Sequence, residues 1–175
     1  EWLCADESAP EWKRFTKYAL ACEGHARPSI ARINRREALT RKVVRGLYVS
    51  DARLRQPLGP TREGFYDLII TGFCIDAISS DPRVFRRCLR NVTSMLQPGG
   101  TLIIHALHQC KAYKCGDRMF PGSNLTIDDM RAAMMENGFA PSTIDAQVIP
   151  CPDNRMYGYS GILTASGRKS IKPRR

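Results

Sequence analysis

Long apolar runs are missing from this 175-residue chain: nothing approaches the roughly 20 consecutive apolar residues that a membrane-spanning helix needs. With 43% apolar and 25% charged residues, the composition is that of a soluble globular protein with enough sequence to bury a core. There is no CxxC pair, and the seven cysteines are odd in number, which argues against a disulfide framework. Cys74 and Cys88 lie in apolar stretches and read as small buried hydrophobes in a reducing, cytoplasmic setting. No Gly-rich phosphate loop, GxSxG elbow or HExxH helix occurs, so P-loop, nucleophile-elbow and zinc-peptidase chemistry are set aside. The chain starts Glu1-Trp2-Leu3, with no initiator Met and no charged-then-apolar leader, and is expected to be a piece of something longer.

Negative charge is the scarcer sign, with 17 Asp and Glu against 27 Lys and Arg, for a net charge of +10. The excess is concentrated. Nine basic residues lie between Arg27 and Arg55 against Glu37 and Asp51, and five more follow from Arg168 without an acid. Such patches can serve nucleic acid or an acidic membrane. No aromatic residues alternate with the basic ones to make a stacking platform, so a solvated helix face and a frayed tail are the plainer reading. His105, His108, Cys110 and Cys115 are close enough to raise zinc, but on a strand His105 and His108 point to opposite faces, and no metal is expected. The sequons at Asn91 and Asn124 are taken as fortuitous.

Periodicity predicts a strand over Phe15–Cys22, and then a helix in which Leu39, Val43 and Leu47 recur on one side with the basic residues on the other. The run from Phe65 to Phe73 is too uniformly apolar for a one-sided strand and reads as buried in a parallel sheet. Asp81 or Ser80 can cap a helix with Pro82 in its first turn and Phe85, Cys88, Leu89, Val92, Met95 and Leu96 on its apolar face. Pro98-Gly99-Gly100 is expected to stop that helix before a second buried strand, Thr101–Leu107, giving a right-handed parallel crossover. A polar loop runs on to Asn124. Thr126 and Asp129 then form a capping arrangement for a helix ending at Asn137-Gly138. Two antiparallel strands, near Thr143–Ile149 and Tyr157–Ala165, close an α/β domain whose ligands should bind beyond the carboxyl ends of its strands.

The run Tyr66 to Ala77, then Asp81, Cys88-Leu89-Arg90-Asn91 and Leu96-Gln97-Pro98-Gly99-Gly100, resembles the class I S-adenosylmethionine-dependent methyltransferases. More narrowly it is similar to the nicotinamide, phenylethanolamine and indolethylamine N-methyltransferase family. Tyr113 with Gly116 to Phe120, Glu136 to Phe139, Gly161, Gly167-Arg168-Lys169, Ala21 to Gly24, Ser50-Asp51-Ala52 and Gln56 to Gly59 follow the family's order. The resemblance implies a Rossmann-like fold, mostly parallel with an antiparallel C-terminal strand, and S-adenosyl-L-methionine as cofactor. Family members carry additional N-terminal sequence with the first strands, the Gly-rich cofactor loop, the ribose-binding acid and an aromatic lid. Residues 1–167 are therefore expected to be a partial methyltransferase domain and 168–175 a basic tail. Alone, the piece is expected to be inactive and to bind the cofactor weakly.

By the same resemblance, Asp51 and the Ala52 amide contact adenine, Thr71 and Gly72 pass beneath the cofactor, and Asp76 positions the acceptor amine or takes its proton. Read without it, Asp51 would simply make a loop turn, Gly72 would permit an unusual backbone angle and Asp76 would cap the next helix. Tyr113 and Cys110 match substrate-pocket positions, an aromatic face suiting a flat or cationic acceptor. Ala106, Cys110 and Gly122 stand where nicotinamide-type members carry an aspartate and two serines, so a nicotinamide specificity is not carried over. The expected partner is a small-molecule amine, with no membrane or nucleic acid and a monomeric state. The competing reading is a non-catalytic relative that binds RNA or an acidic partner through the basic patches.

Overall fold

A computed structural model describes residues 2–4 and 8–171, leaving out the side chains of Trp2, Asn154 and Arg155. The chain divides into two compact units, Glu1–Tyr48 and Val49–Arg175.

The first unit is a pair of helices, α1 (Lys13–Cys22) and α2 (Ile30–Val43). The predicted strand at Phe15–Cys22 is thus a helix. Its apolar residues are not strictly alternate, Ala and Lys between them favour helix, and the residue that is buried, Leu20, lies on a helix packed against α2, where Ile33 is buried. Ser29 caps α2 by accepting from the Arg32 amide. The Leu39, Val43, Leu47 stripe is not the inner face: Leu39 and Val43 are exposed, and Leu47 lies beyond the helix end. The inner face carries Ile33 and Glu37, whose carboxylate accepts from Thr16 Oγ1 at 3.1 Å and pairs with Arg41 at 3.8 Å. A polar residue was drawn inward because it found partners there.

In the second unit a four-stranded sheet runs β1 (Tyr66–Gly72), β2 (Leu96–Leu107), β6 (Gly161–Arg168), β5 (Asp145–Pro150). A separate hairpin is formed by β3 (Ala112–Cys115) and β4 (Arg118–Pro121). β1 and β2 are parallel and joined through α3 (Pro82–Ser94), as the crossover pattern predicts, while β2–β6 and β5–β6 are antiparallel. One face of the sheet carries the core. Leu102, Ile104, Ala106, Leu163 and Ala165 meet Phe85, Cys88, Leu89 and Val92 of α3 and Met130, Ala133 and Met134 of α4 (Ile127–Glu136).

The helix ends were legible. Asp81 accepts from the Arg83 amide ahead of Pro82, and Thr126 and Asp129 make a reciprocal capping box. Helix α3 stops earlier than Pro98, at Ser94, and Pro98-Gly99-Gly100 lies inside β2, opposite the irregularity between Tyr66 and Leu68. Thr93 and Ser94 turn their hydroxyls back onto helix carbonyls, and Lys169 Nζ donates to the carbonyls of Thr93 (2.8 Å) and Leu96 (2.7 Å). Arg168 closes β6 and the Ser170 amide donates to Gly138, so the basic stretch that was expected to start a tail joins the fold through Ser170. Lys172 to Arg175 lie outside the described residues.

Two further expectations need correction. Leu68 and Ile70 of β1 are exposed, because α3 and α4 cover only one face and, among the described residues, no strand pairs with the outer edge of β1. Cys74 is exposed, whereas Cys88 is buried as predicted.

Candidate functional site

The site is built where β1 and β2 end. Phe73 follows β1 with φ of 53°, a left-handed conformation that is an outlier for a bulky side chain, and its amide donates to the His105 carbonyl at 2.9 Å. This turns the chain away from the sheet into a 3-10 turn, Ile75–Ala77, ahead of α3. The Phe73 ring stacks on His105, whose Nδ1 lies 3.0 Å from Thr164 Oγ1. Clefts lie on both sides of the turn.

Asp76 occupies the turn and is only 3% exposed. Its Oδ2 accepts from the Leu107 amide at 3.0 Å, and its carbonyl accepts from the Ser123 amide (3.0 Å) and Oγ (2.8 Å). Oδ1 is buried without a hydrogen-bond partner. Burial pushes the carboxyl above the ordinary carboxylate range, opposed by the Leu107 hydrogen bond. An unsatisfied buried carboxylate oxygen is costly, and groups perturbed in this way gather at functional sites.

The cleft beside Asp76 has a volume of about 400 Å³ and is walled by Phe73, Leu107, Tyr113, Tyr157, Tyr159 and Ile162. Tyr113 is held by its pairing with Phe120 across the β3–β4 hairpin, where the rings stack at 5.6 Å, and burial raises its phenol. Gly158 brings in the Tyr157–Tyr159 segment. A Cβ there would lie 2.0 Å from the Ala112 carbonyl oxygen, and φ is +97°.

On the other side of the turn, a cleft of about 610 Å³ is lined by Asp51, Ala52, Thr71, Cys74, Ile75 and Ile78 among others. The Asp51 carboxylate is occupied: Oδ1 accepts from the Arg53 amide and Nε, and Oδ2 from Nε and NH2, at 2.8 to 3.1 Å. The Arg53 guanidinium holds the Asp51 carboxyl down at about 2. Asn91, buried in α3, donates from Nδ2 to the Ala52 carbonyl at 2.9 Å and anchors this loop.

The structure thus brings Asp51, Ala52 and Thr71 to one cleft and Asp76 and Tyr113 to the other. Gly72 lines neither cleft: it faces His105, and a Cβ there would meet only the His105 ring, 3.8 Å away. Cys110 is fully buried at the base of the β3–β4 hairpin, with its thiol raised by burial. Asn91, Ser123, Tyr157 and Tyr159 are the residues that sequence reasoning missed. A buried Asn on an apolar helix face and two tyrosines just before a strand were the available signals. Among the described residues no three His, Cys, Asp or Glu side chains are placed to hold a metal ion, and no helix is long and apolar enough to cross a membrane.

Comparison with known proteins gives a consistent result. A family model described as the NNMT/PNMT/TEMT family matches residues 1–170. Nicotinamide N-methyltransferase of Homo sapiens is 25% identical over 173 residues, covering 99% of this chain and 64% of the relative. Indolethylamine N-methyltransferase of Oryctolagus cuniculus is 27% identical over 139 residues, covering 79% and 51%. The chain therefore spans between about half and two-thirds the length of these relatives. Among solved structures, a SAM-dependent methyltransferase of Methanosarcina mazei shares the fold, with a TM-score of 0.55 at 16% identity over 78% of this chain and 77% of its own.

Proposed function

The chain belongs to the NNMT/PNMT/TEMT family, and from that premise we propose that the protein is an S-adenosyl-L-methionine-dependent N-methyltransferase acting on a small amine or heterocyclic nitrogen. The observation that carries the reading is Asp76: a buried carboxyl whose Oδ1 has no hydrogen-bond partner, on a residue that lines an aromatic cleft, close in sequence to residues of a second cleft. Only a neutral amine nitrogen has the lone pair that attacks a methyl group. Asp76 Oδ1 is suited to accept a proton from an incoming ammonium, because burial gives the carboxyl a pKa closer to the working pH. Phe73, Tyr113, Tyr157 and Tyr159 orient a flat acceptor by ring contact and exclude water from the nitrogen.

The second cleft suits the cofactor. Ile69, Ile75, Ile78 and Val92 supply apolar walls for a purine, and Asp51 supplies an acceptor for an exocyclic amine. Asp51, the Ala52 backbone and Thr71 would hold it, with Gly72 beside them on the strand. When bound, S-adenosyl-L-methionine supplies an electrophilic methyl group on a sulfonium sulfur. Arg53 must release Asp51 for the adenine contact to form, since the carboxylate is saturated as it stands.

Ala106 and Cys110 are buried and Gly122 offers no side chain, so these positions present no polar group for a carboxamide, which favours an aryl-alkyl or heterocyclic amine over nicotinamide. Cys110 then shapes the site from behind the wall. We place the protein in the cytoplasm as a monomer that uses no membrane or nucleic-acid partner. The test is methyl transfer by the full-length polypeptide from labelled S-adenosyl-L-methionine to a panel of small amines. Absence of transfer to every member would falsify the reading.

A further inference from the structure

We propose that Ser123 is a positioning residue for Asp76, setting the carboxyl at the edge of the aromatic cleft from the base of the β3–β4 hairpin. The proposal rests on the reading of Asp76 as the acceptor-side carboxylate. Ser123 is 4% exposed, and both its amide and its hydroxyl are directed at the turn after β1. The amide donates to the Asp76 carbonyl, and Oγ lies 2.8 Å from the carbonyls of both Asp76 and Ser79. A hydroxyl has one proton to give, so it is shared between the two carbonyls and ties the middle of the turn to its exit.

From outside its own turn, the Asp76 side chain takes a hydrogen bond at Oδ2 from the Leu107 amide, and its own amide also acts on the carboxyl. With Oδ1 unpartnered, the direction of the carboxyl follows from the backbone at residue 76, and Ser123 holds that backbone. The latch is anchored in its turn. Gly122 donates to the Lys111 carbonyl, Asn124 to Cys110 and Gln109 to Leu125, which extends the ladder of the hairpin down to its base. The same hairpin carries Tyr113 into the cleft, so the aromatic wall and the carboxyl are set by one element. The Asp76 charge in turn raises the Cys110 thiol and the Tyr113 phenol, and Lys114, Cys115, Tyr157 and Tyr159 are the other titratable groups lining the cleft.

The experiment compares wild type, S123A, S123T and D76N in the full-length polypeptide, reading kcat, acceptor KM, the pH profile of kcat and thermal stability. A carboxyl released from its setting can hydrate. S123A should therefore lower kcat by on the order of tenfold and move the acid limb of the profile to lower pH, with cofactor affinity unchanged. S123T retains the hydroxyl and should restore both. The proposal is overturned if D76N is impaired while S123A keeps the wild-type pH profile, even where S123A loses stability and rate together. Wild-type turnover by D76N overturns the reading of Asp76 itself, and the proposal with it.

Discussion

At the scale of single residues the proposed chemistry turns on two carboxyls in opposite situations. Asp76 is buried with its pKa raised, so the folded state holds its proton more tightly than the unfolded chain does. Native stability from this group falls as pH climbs from the ordinary value of 3.8 through the raised folded value. D76N keeps an oxygen for the Leu107 amide and removes the charge. Thermal melts should show it gaining on wild type as pH rises above 3.8, while kcat falls by on the order of 100-fold or more. Asp51 is partly exposed and its pKa is depressed by Arg53, so its small contribution is present above 3.8 and is lost as pH falls toward about 2. Because an exposed ion pair is weak, freeing Asp51 in R53A should tighten cofactor binding by no more than about fivefold. Isothermal calorimetry on the full-length polypeptide reads this, and weaker binding in R53A would count against the adenine role. Asp51 and Asp76 could be found in the sequence because they sit in motifs. Asn91 sits in a motif too, but its role and that of Ser123 could not be read there, because each acts on a residue 39 or 47 positions away.

At the scale of elements, what could be read depended on whether the signal was local. The caps of α3 and α4 are side chains bonding amides two or three residues on, and both were predicted. Thr126→Ala breaks the capping box and should cost about 0.5–2 kcal/mol in urea denaturation, with no change in acceptor KM. The apolar residues of α1 alternate only in part, so the strand pattern there is incomplete, and packing in the helical pair, where Leu20 is buried, goes with the helix. The β3–β4 hairpin was read as a loop because its four-residue strands carry little apolar pattern. Its base depends on close approach: a Cβ on Gly122 would sit 2.3 Å from the Cys110 carbonyl oxygen. Gly122→Ala should therefore destabilise by about 1–3 kcal/mol and disturb the Tyr113 wall, seen as a lower Tm with a raised acceptor KM.

At the scale of the whole molecule, one face of the sheet holds the core and the outer edge of β1 carries exposed apolar residues, Ile70 at 64%. An apolar strand edge that is unpaired among the described residues is a template for pairing with another chain, against which the net charge of +10 works. Residues 1–175 produced alone should self-associate, and Ile70→Lys should reduce light scattering, whereas equal scattering by both would remove β1 as the cause. By itself the sequence determined the α/β class, the parallel crossover through α3, the antiparallel closing strands, the helix caps and the family, because these are carried by neighbouring residues or by motifs in order. Only the tertiary structure decided which faces are buried, that Phe15 to Cys22 is helical, that Cys110 stands behind the wall, and that Ser123 holds the turn of Asp76. Each of those depends on contacts between segments far apart in the chain, and burial is a property of the partners a residue meets, which its own neighbours in sequence do not specify.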